Sequence, residues 1–134
     1  MANPKAEELK KRTNLFAVAV CELCRCLPPG VESRRIAPQL VDSATSVRAN
    51  YRATCKARSR AEFAAKIGVV AEEADESEGW LALLLELKLG PADKVEALRS
   101  EANELTAIFT ASFRTARGRL HKSLNPHNKS RNPQ

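Results

Sequence analysis

Between residues 59 and 89 the chain has little choice but to form one long helix. Phe63, Ile67, Val70, Ala74, Ser77, Leu81 and Leu84 step alternately by four and three. That rhythm gathers them on one helical face, the seam of a bundle. Ser59, followed three residues later by Glu62, predicts the start, because each side chain can satisfy the other's free backbone N–H in a capping box. Gly90-Pro91 predicts the stop. Trp80, Leu83, Leu85 and Leu87 lie off the seam. A helix apolar over so much of its last turns is expected to meet a second partner.

Three more helices follow from the same reasoning. Residues 5–27 carry Leu9, Phe16, Val20, Leu23 and Leu27 at heptad-like intervals, with Thr13 filling the gap, and Pro28-Pro29-Gly30 ends the run. Residues 33–57 present Ile36, Leu40, Ala44, Val47, Tyr51 and Cys55. This face is thin and sprinkled with Ser43, Thr45, Ser46, Asn50 and Thr54, so packing must hold the helix and small residues invite a close neighbour. Asn50 and Tyr51 could line a site or channel, or Asn50 could fix the helix register. Residues 92–117 place Val95, Leu98, Ala102, Leu105, Phe109 and Ser112 on a seam, widened by Ile108 and Phe113. From Gly118 to residue 134 the period fades into Asn, Pro and cations, which reads as a mobile basic tail. No strand signal competes. The expectation is an all-α protein, an up-down-up-down four-helix bundle over residues 1–117 with a tail over 118–134.

The size, 134 residues, suits one domain with its own core. The longest apolar run, Trp80 to Leu85, is far too short to cross a membrane, and the charged first residues do not resemble a signal peptide. A cytoplasmic protein with free thiols at Cys21, Cys24, Cys26 and Cys55 is expected. On a helix turning about 100° per residue, Cys26 points about 200° away from Cys24, so these thiols cannot converge on a metal. The acids at 72–78 lack the Glu-x-x-His pairs of a di-iron bundle. No catalytic constellation, cofactor motif or metal site is present, and an enzyme is not expected.

Charge is the informative quantity. The net charge of +6 hides three blocks. Residues 34–66 hold eight Lys/Arg against two acids, residues 72–104 ten acids against three Lys/Arg, and residues 105–134 six Lys/Arg and no acid. Such asymmetry points to polyanion contact, self-complementary assembly, or both. Arg48, Arg52 and Lys56, four apart, form one stripe that Arg58 and Arg60 continue. It can track phosphates, or pair with Glu72 and Glu73 if the helices on either side of Ser59 form a hairpin. Arg114, Arg117, Arg119 and Lys122 have no acid nearby in sequence and are the better polyanion candidates. The aromatics, four Phe, one Tyr and one Trp, fall on or beside seams rather than among these cations. Binding would therefore follow backbone and shape, with little sequence specificity.

Several short stretches combine into a pattern. Leu9-Lys-Lys-Arg-Thr13 with Phe16, Leu27-Pro28, Gln39-Leu40, Ser43-Ala-Thr-Ser-Val47, Ala49-Asn50-Tyr51-Arg52, Cys55-Lys-Ala-Arg-Ser59, Glu62-Phe63, Lys66, Glu73-Ala-Asp-Glu-Ser77 and Trp80-Leu81 together resemble the four-helix-bundle family of 23S rRNA intervening-sequence proteins. The resemblance covers about residues 5–117. Arg48 departs from it, standing where a small residue is common, and so does the cysteine cluster. The resemblance implies a left-handed bundle that assembles as a homopentamer around a central channel, with no enzymatic activity. Accessory proteins of diversity-generating retroelements look similar: basic pentamers that bind nucleic acid and a reverse transcriptase. Two readings follow. In one, an oligomeric bundle binds RNA or DNA backbones. In the other, the bundle is a scaffold that docks a nucleic-acid enzyme such as a reverse transcriptase.

Overall fold

Four helices account for almost all of the computed structural model, which describes residues 3–124. They are α1 (Pro4–Arg25), α2 (Val31–Thr54), α3 (Arg60–Glu86) and α4 (Ala92–Leu124), and no strand occurs among the described residues. Each boundary has a local cause. Asn3 caps α1, its Oδ1 accepting from the Lys5 N–H at 3.0 Å, with Pro4 in the first turn where its missing N–H costs nothing. Ser59 caps α3 by accepting from the Glu62 N–H at 3.0 Å. The return bond from Glu62 goes to the Arg58 N–H at 3.2 Å, one residue before the expected Ser59. α3 closes in a Schellman turn. Lys88 takes a left-handed φ of 57°, its N–H reaches the Leu85 carbonyl at 3.1 Å, and the Leu89 N–H reaches Leu84 at 2.9 Å.

The helices alternate in direction, as contacts between neighbours show. The Arg48 guanidinium reaches Asn14 across α1 and α2, Ser77 meets Ser43 across α2 and α3, and Arg99 meets Glu78 across α3 and α4. α3 is the best-packed helix, lying against both α2 and α4, whereas α1 touches α4 only sparsely. Leu40, Val47, Ile67, Val70, Leu81, Leu84, Leu105 and Phe109 are almost wholly removed from water. The Tyr51 and Phe109 rings pack with centroids 5.2 Å apart.

Buried polar groups sit where small size or a local bond makes them tolerable. Thr13, in the gap of the α1 seam, donates to the Leu9 carbonyl at 2.8 Å. The Ser77 and Ser43 hydroxyls meet at 2.8 Å, and each also reaches a carbonyl of its own helix. Across the thin α1–α4 seam, the Arg12 guanidinium bonds Glu101 through Nε at 2.8 Å and through Nη2 at 2.6 Å, and it also bonds Glu104. The hydrogen bond to Glu101 is the main influence holding that guanidinium charged.

Several expectations from the sequence are corrected. Phe63 is not on the seam; it is 37% exposed, and Ala64 occupies the core-facing position. Cys55 lies exposed just past the end of α2, while Thr54 is the buried residue there, its hydroxyl on the Asn50 carbonyl at 2.7 Å. Asn50 makes no bond to another helix among the described residues; its amide donates to the Ser46 carbonyl of its own helix at 2.9 Å. α2 starts two residues early, at Val31, and runs through the exposed Pro38. α4 continues through Gly118 to Leu124, across the start of the expected tail. Residues 125–134 of that tail lie outside the described residues.

Two features yield measurable consequences. Gly90 has φ 80°, and a Cβ there would sit 3.0 Å from the Leu27 side chain. Gly90→Ala is therefore expected to lower unfolding stability by about 1–2 kcal/mol or more from the left-handed backbone alone, measured by urea denaturation. The Glu73 carboxyl is pushed above its ordinary range, first by burial and then by Glu76, Glu72 and Asp42. A raised native pKa means the folded state holds the proton more tightly, so stability falls as pH rises through that window. Glu73→Gln should be more stable than the wild type at pH 7, with the difference closing as pH falls toward 4.5.

Candidate nucleic-acid interface

Two basic blocks far apart in sequence end up at one end of the bundle. The α2–α3 turn delivers Arg52, Lys56, Arg58 and Arg60. The α3–α4 register does the rest. Gly68 on α3 faces the Phe113 ring on α4, where an added Cβ would lie 3.0 Å from the ring. Past Phe113, α4 must run alongside the first turns of α3, toward that same turn. Arg114, Arg117, Arg119 and Lys122 ride on this part of α4. Lys5, in the first turn of α1, lies toward the same end, because α1 runs antiparallel to α2.

Arg52, Lys56, Arg58, Arg60, Arg114, Arg117, Arg119 and Lys122 are all exposed. None is in an ion pair among the described residues. The pairs that do form are Lys10–Glu7, Arg12 with Glu101 and Glu104, Lys66–Glu62 and Arg99–Glu78. Glu62, the acid closest in sequence to the turn, already accepts from the Arg58 N–H and lies 3.9 Å from Lys66. Exposed charges so arranged repel one another modestly in water and attract any polyanion that approaches the end as a whole.

Arg48 is the exception among the sequence-selected cations. Its Nε donates to Asn14 Oδ1 at 2.7 Å, which turns it into a half-buried groove between α1 and α2. It therefore does not continue the exposed stripe. The alternative pairing of that stripe with Glu72 and Glu73 does not form either: those acids crowd each other and Asp42, not an arginine. Sequence reasoning passes over Arg12 and its two acids, although Glu101 and Glu104, three apart on one helical face, mark a place for a cation.

The cysteines divide by environment. Cys21 and Cys24 are half-buried and Cys26 is exposed. Burial, and then the neighbouring Cys21, push the Cys24 thiol up to about 11, which keeps it protonated and a poor nucleophile at neutral pH. No described helix is long and apolar enough to cross a membrane.

No curated protein is matched. Among solved structures, a protein of unknown function from the S23 ribosomal protein family of Bacteroides thetaiotaomicron is similar, with 28% identity and a TM-score of 0.69. The match covers 78% of this chain and 97% of that one. Residues 5–111 match the family described as 23S rRNA-intervening sequence protein. That span takes in α1, α2, α3 and most of α4, so the chain belongs to the 23S rRNA-intervening sequence protein family.

Proposed function

We propose that this protein is a non-enzymatic, self-assembling module that binds RNA or DNA along the phosphate backbone with its basic end. One observation carries the reading: eight exposed cations from two distant sequence blocks meet at one end of the bundle, unpaired among the described residues. A backbone contact needs cations and little else, and among the described residues Phe63, 37% exposed in the first turn of α3, is the one large aromatic left open beside these cations. The family takes its description from intervening sequences of 23S rRNA, which agrees with an RNA ligand. Assembly into a homopentamer, as the resemblance implies, would repeat the basic end around one rim and multiply a weak contact by avidity.

Charge reversal at that end should weaken binding sharply. Fluorescence anisotropy of labelled structured RNA and duplex DNA would compare the wild type with Arg114→Glu/Arg117→Glu/Arg119→Glu. Binding is expected to weaken roughly a hundredfold, with a salt slope shallower by about one for each phosphate the variant no longer neutralises. Arg48→Ala is expected to change little, because its guanidinium is committed to Asn14. Equal affinity of the triple variant and the wild type would exclude the basic end as the binding surface. The basic end would then be free to dock an acidic partner protein such as a reverse transcriptase.

A further inference from the structure

α3 carries a second heptad seam that the other described residues leave partly uncovered. Val69, Glu73, Glu76, Trp80, Leu83 and Leu87 step 4-3-4-3-4 along its outer side, parallel to the core seam. Val69 is 39% exposed and Leu87 44%, while Trp80 and Leu83 are half-buried against the core.

Gly79, beside Trp80 of this seam, is not explained by contacts among the described residues. Gly79 lies inside the helix, where glycine costs about 1 kcal/mol relative to alanine. A Cβ there would meet nothing within 4 Å, in contrast to Gly68, which Phe113 holds small. The missing side chain opens a shallow hollow beside Trp80 and Leu83, with Glu76 and Glu86 at its edges.

The outer face of α1 has the matching rhythm. Lys11, Leu15, Val18, Glu22 and Arg25 step 4-3-4-3, and Leu15 and Val18 are 67% and 46% exposed. α1 and α3 run in the same direction within the bundle. A second copy rotated about an axis along the bundle therefore presents its α1 parallel to this α3. Aligned with Lys11 level with Glu76, Leu15 falls at the Gly79–Trp80 hollow, Val18 at Leu83, and Glu22 beside Lys88. Lys11 then meets the opposite sign, Glu22 lies between Glu86 and Lys88, Arg25 falls just past the end of α3, and the acid-crowded stretch around Glu73 and Glu76 gains a cation.

We infer that the outer seam of α3, centred on the Gly79–Trp80 hollow, receives the outer face of α1, centred on Leu15 and Val18, from a second copy of this chain. The contact joins two different faces, so every copy gives one and receives one. Such head-to-tail contacts close into a ring when the rotation permits. The inference rests on the self-assembly part of the proposed function and is independent of nucleic-acid binding.

Light scattering at micromolar concentration tests it with Leu15→Glu and Gly79→Arg. Both positions are open to solvent in the single chain, so each variant should keep the wild-type helicity. The wild type is expected to be an assembly and each variant a monomer. An equimolar mixture should form a 1:1 dimer of twice the monomer mass, because Leu15→Glu retains the α3 face and Gly79→Arg retains the α1 face. Variants that assemble like the wild type would overturn this interface and leave self-assembly standing. Monomeric variants that do not dimerise on mixing would show that the two faces are not each other's partners. A monomeric wild type would overturn both the interface and the assembly, with the RNA-binding reading untouched.

Discussion

The structure depends on how closely α3 approaches its neighbours. Against α2 the approach is set by two serines, Ser43 and Ser77, whose hydroxyls touch at 2.8 Å. Against α4 it is set by Gly68, which lets the Phe113 ring lie where a methyl group would collide. Both contacts need small residues in the seam, and both fix register as well as distance. Register also decides where the charges fall. It makes the last turns of α4 run beside the first turns of α3, so that two basic blocks separated by the acidic one share an end.

Charge segregation in space then follows from charge segregation in sequence. An antiparallel hairpin with its acidic block near the far turn and its cations near the other must separate the signs along the bundle axis. Few of the acids leave their block to neutralise the basic end: Glu101 and Glu104 go to Arg12, Glu78 goes to Arg99, and Glu73 is crowded by other acids. Among the described residues, the chain thus shows a positive end whose eight Lys and Arg make no ion pair and an acidic, partly apolar flank along α3. These are separate surfaces, suited to separate partners. The end suits phosphates, and the flank, with Gly79 and Trp80 at its centre, suits a helix.

Much of the fold is legible in the sequence because apolar periodicity survives in every helix. The seam residues from Ile67 to Leu84, and those from Ile36 to Tyr51, are buried as their spacing requires. Phe63 misleads because the first turn of α3 reaches past the last turn of α2, and aromatic character says nothing about whether a neighbour is there to cover it. The end of α4 misleads for the opposite reason. Loss of amphipathicity after Gly118 reads as loss of helix, yet Arg119, Leu120 and Lys122 are good helix formers, of which Leu120 alone is partly buried. The candidate site is legible as a set of cations but not as a place. That Arg48 turns to Asn14, and that Arg12 bridges to Glu101, depend on how α1 is rotated about its own axis, which a thin and degenerate polar pattern does not encode.

The basic end is, on this view, held open for phosphates. The most direct measurement is the salt dependence of binding, titrating labelled structured RNA with wild-type protein across about 50 to 200 mM salt. A steep fall in log affinity with log salt is predicted, several phosphates' worth at roughly 0.7 to 0.9 per contact. Weak binding with a flat slope would contradict it, and would mean that these cations are neutralised by protein acids across an interface between chains.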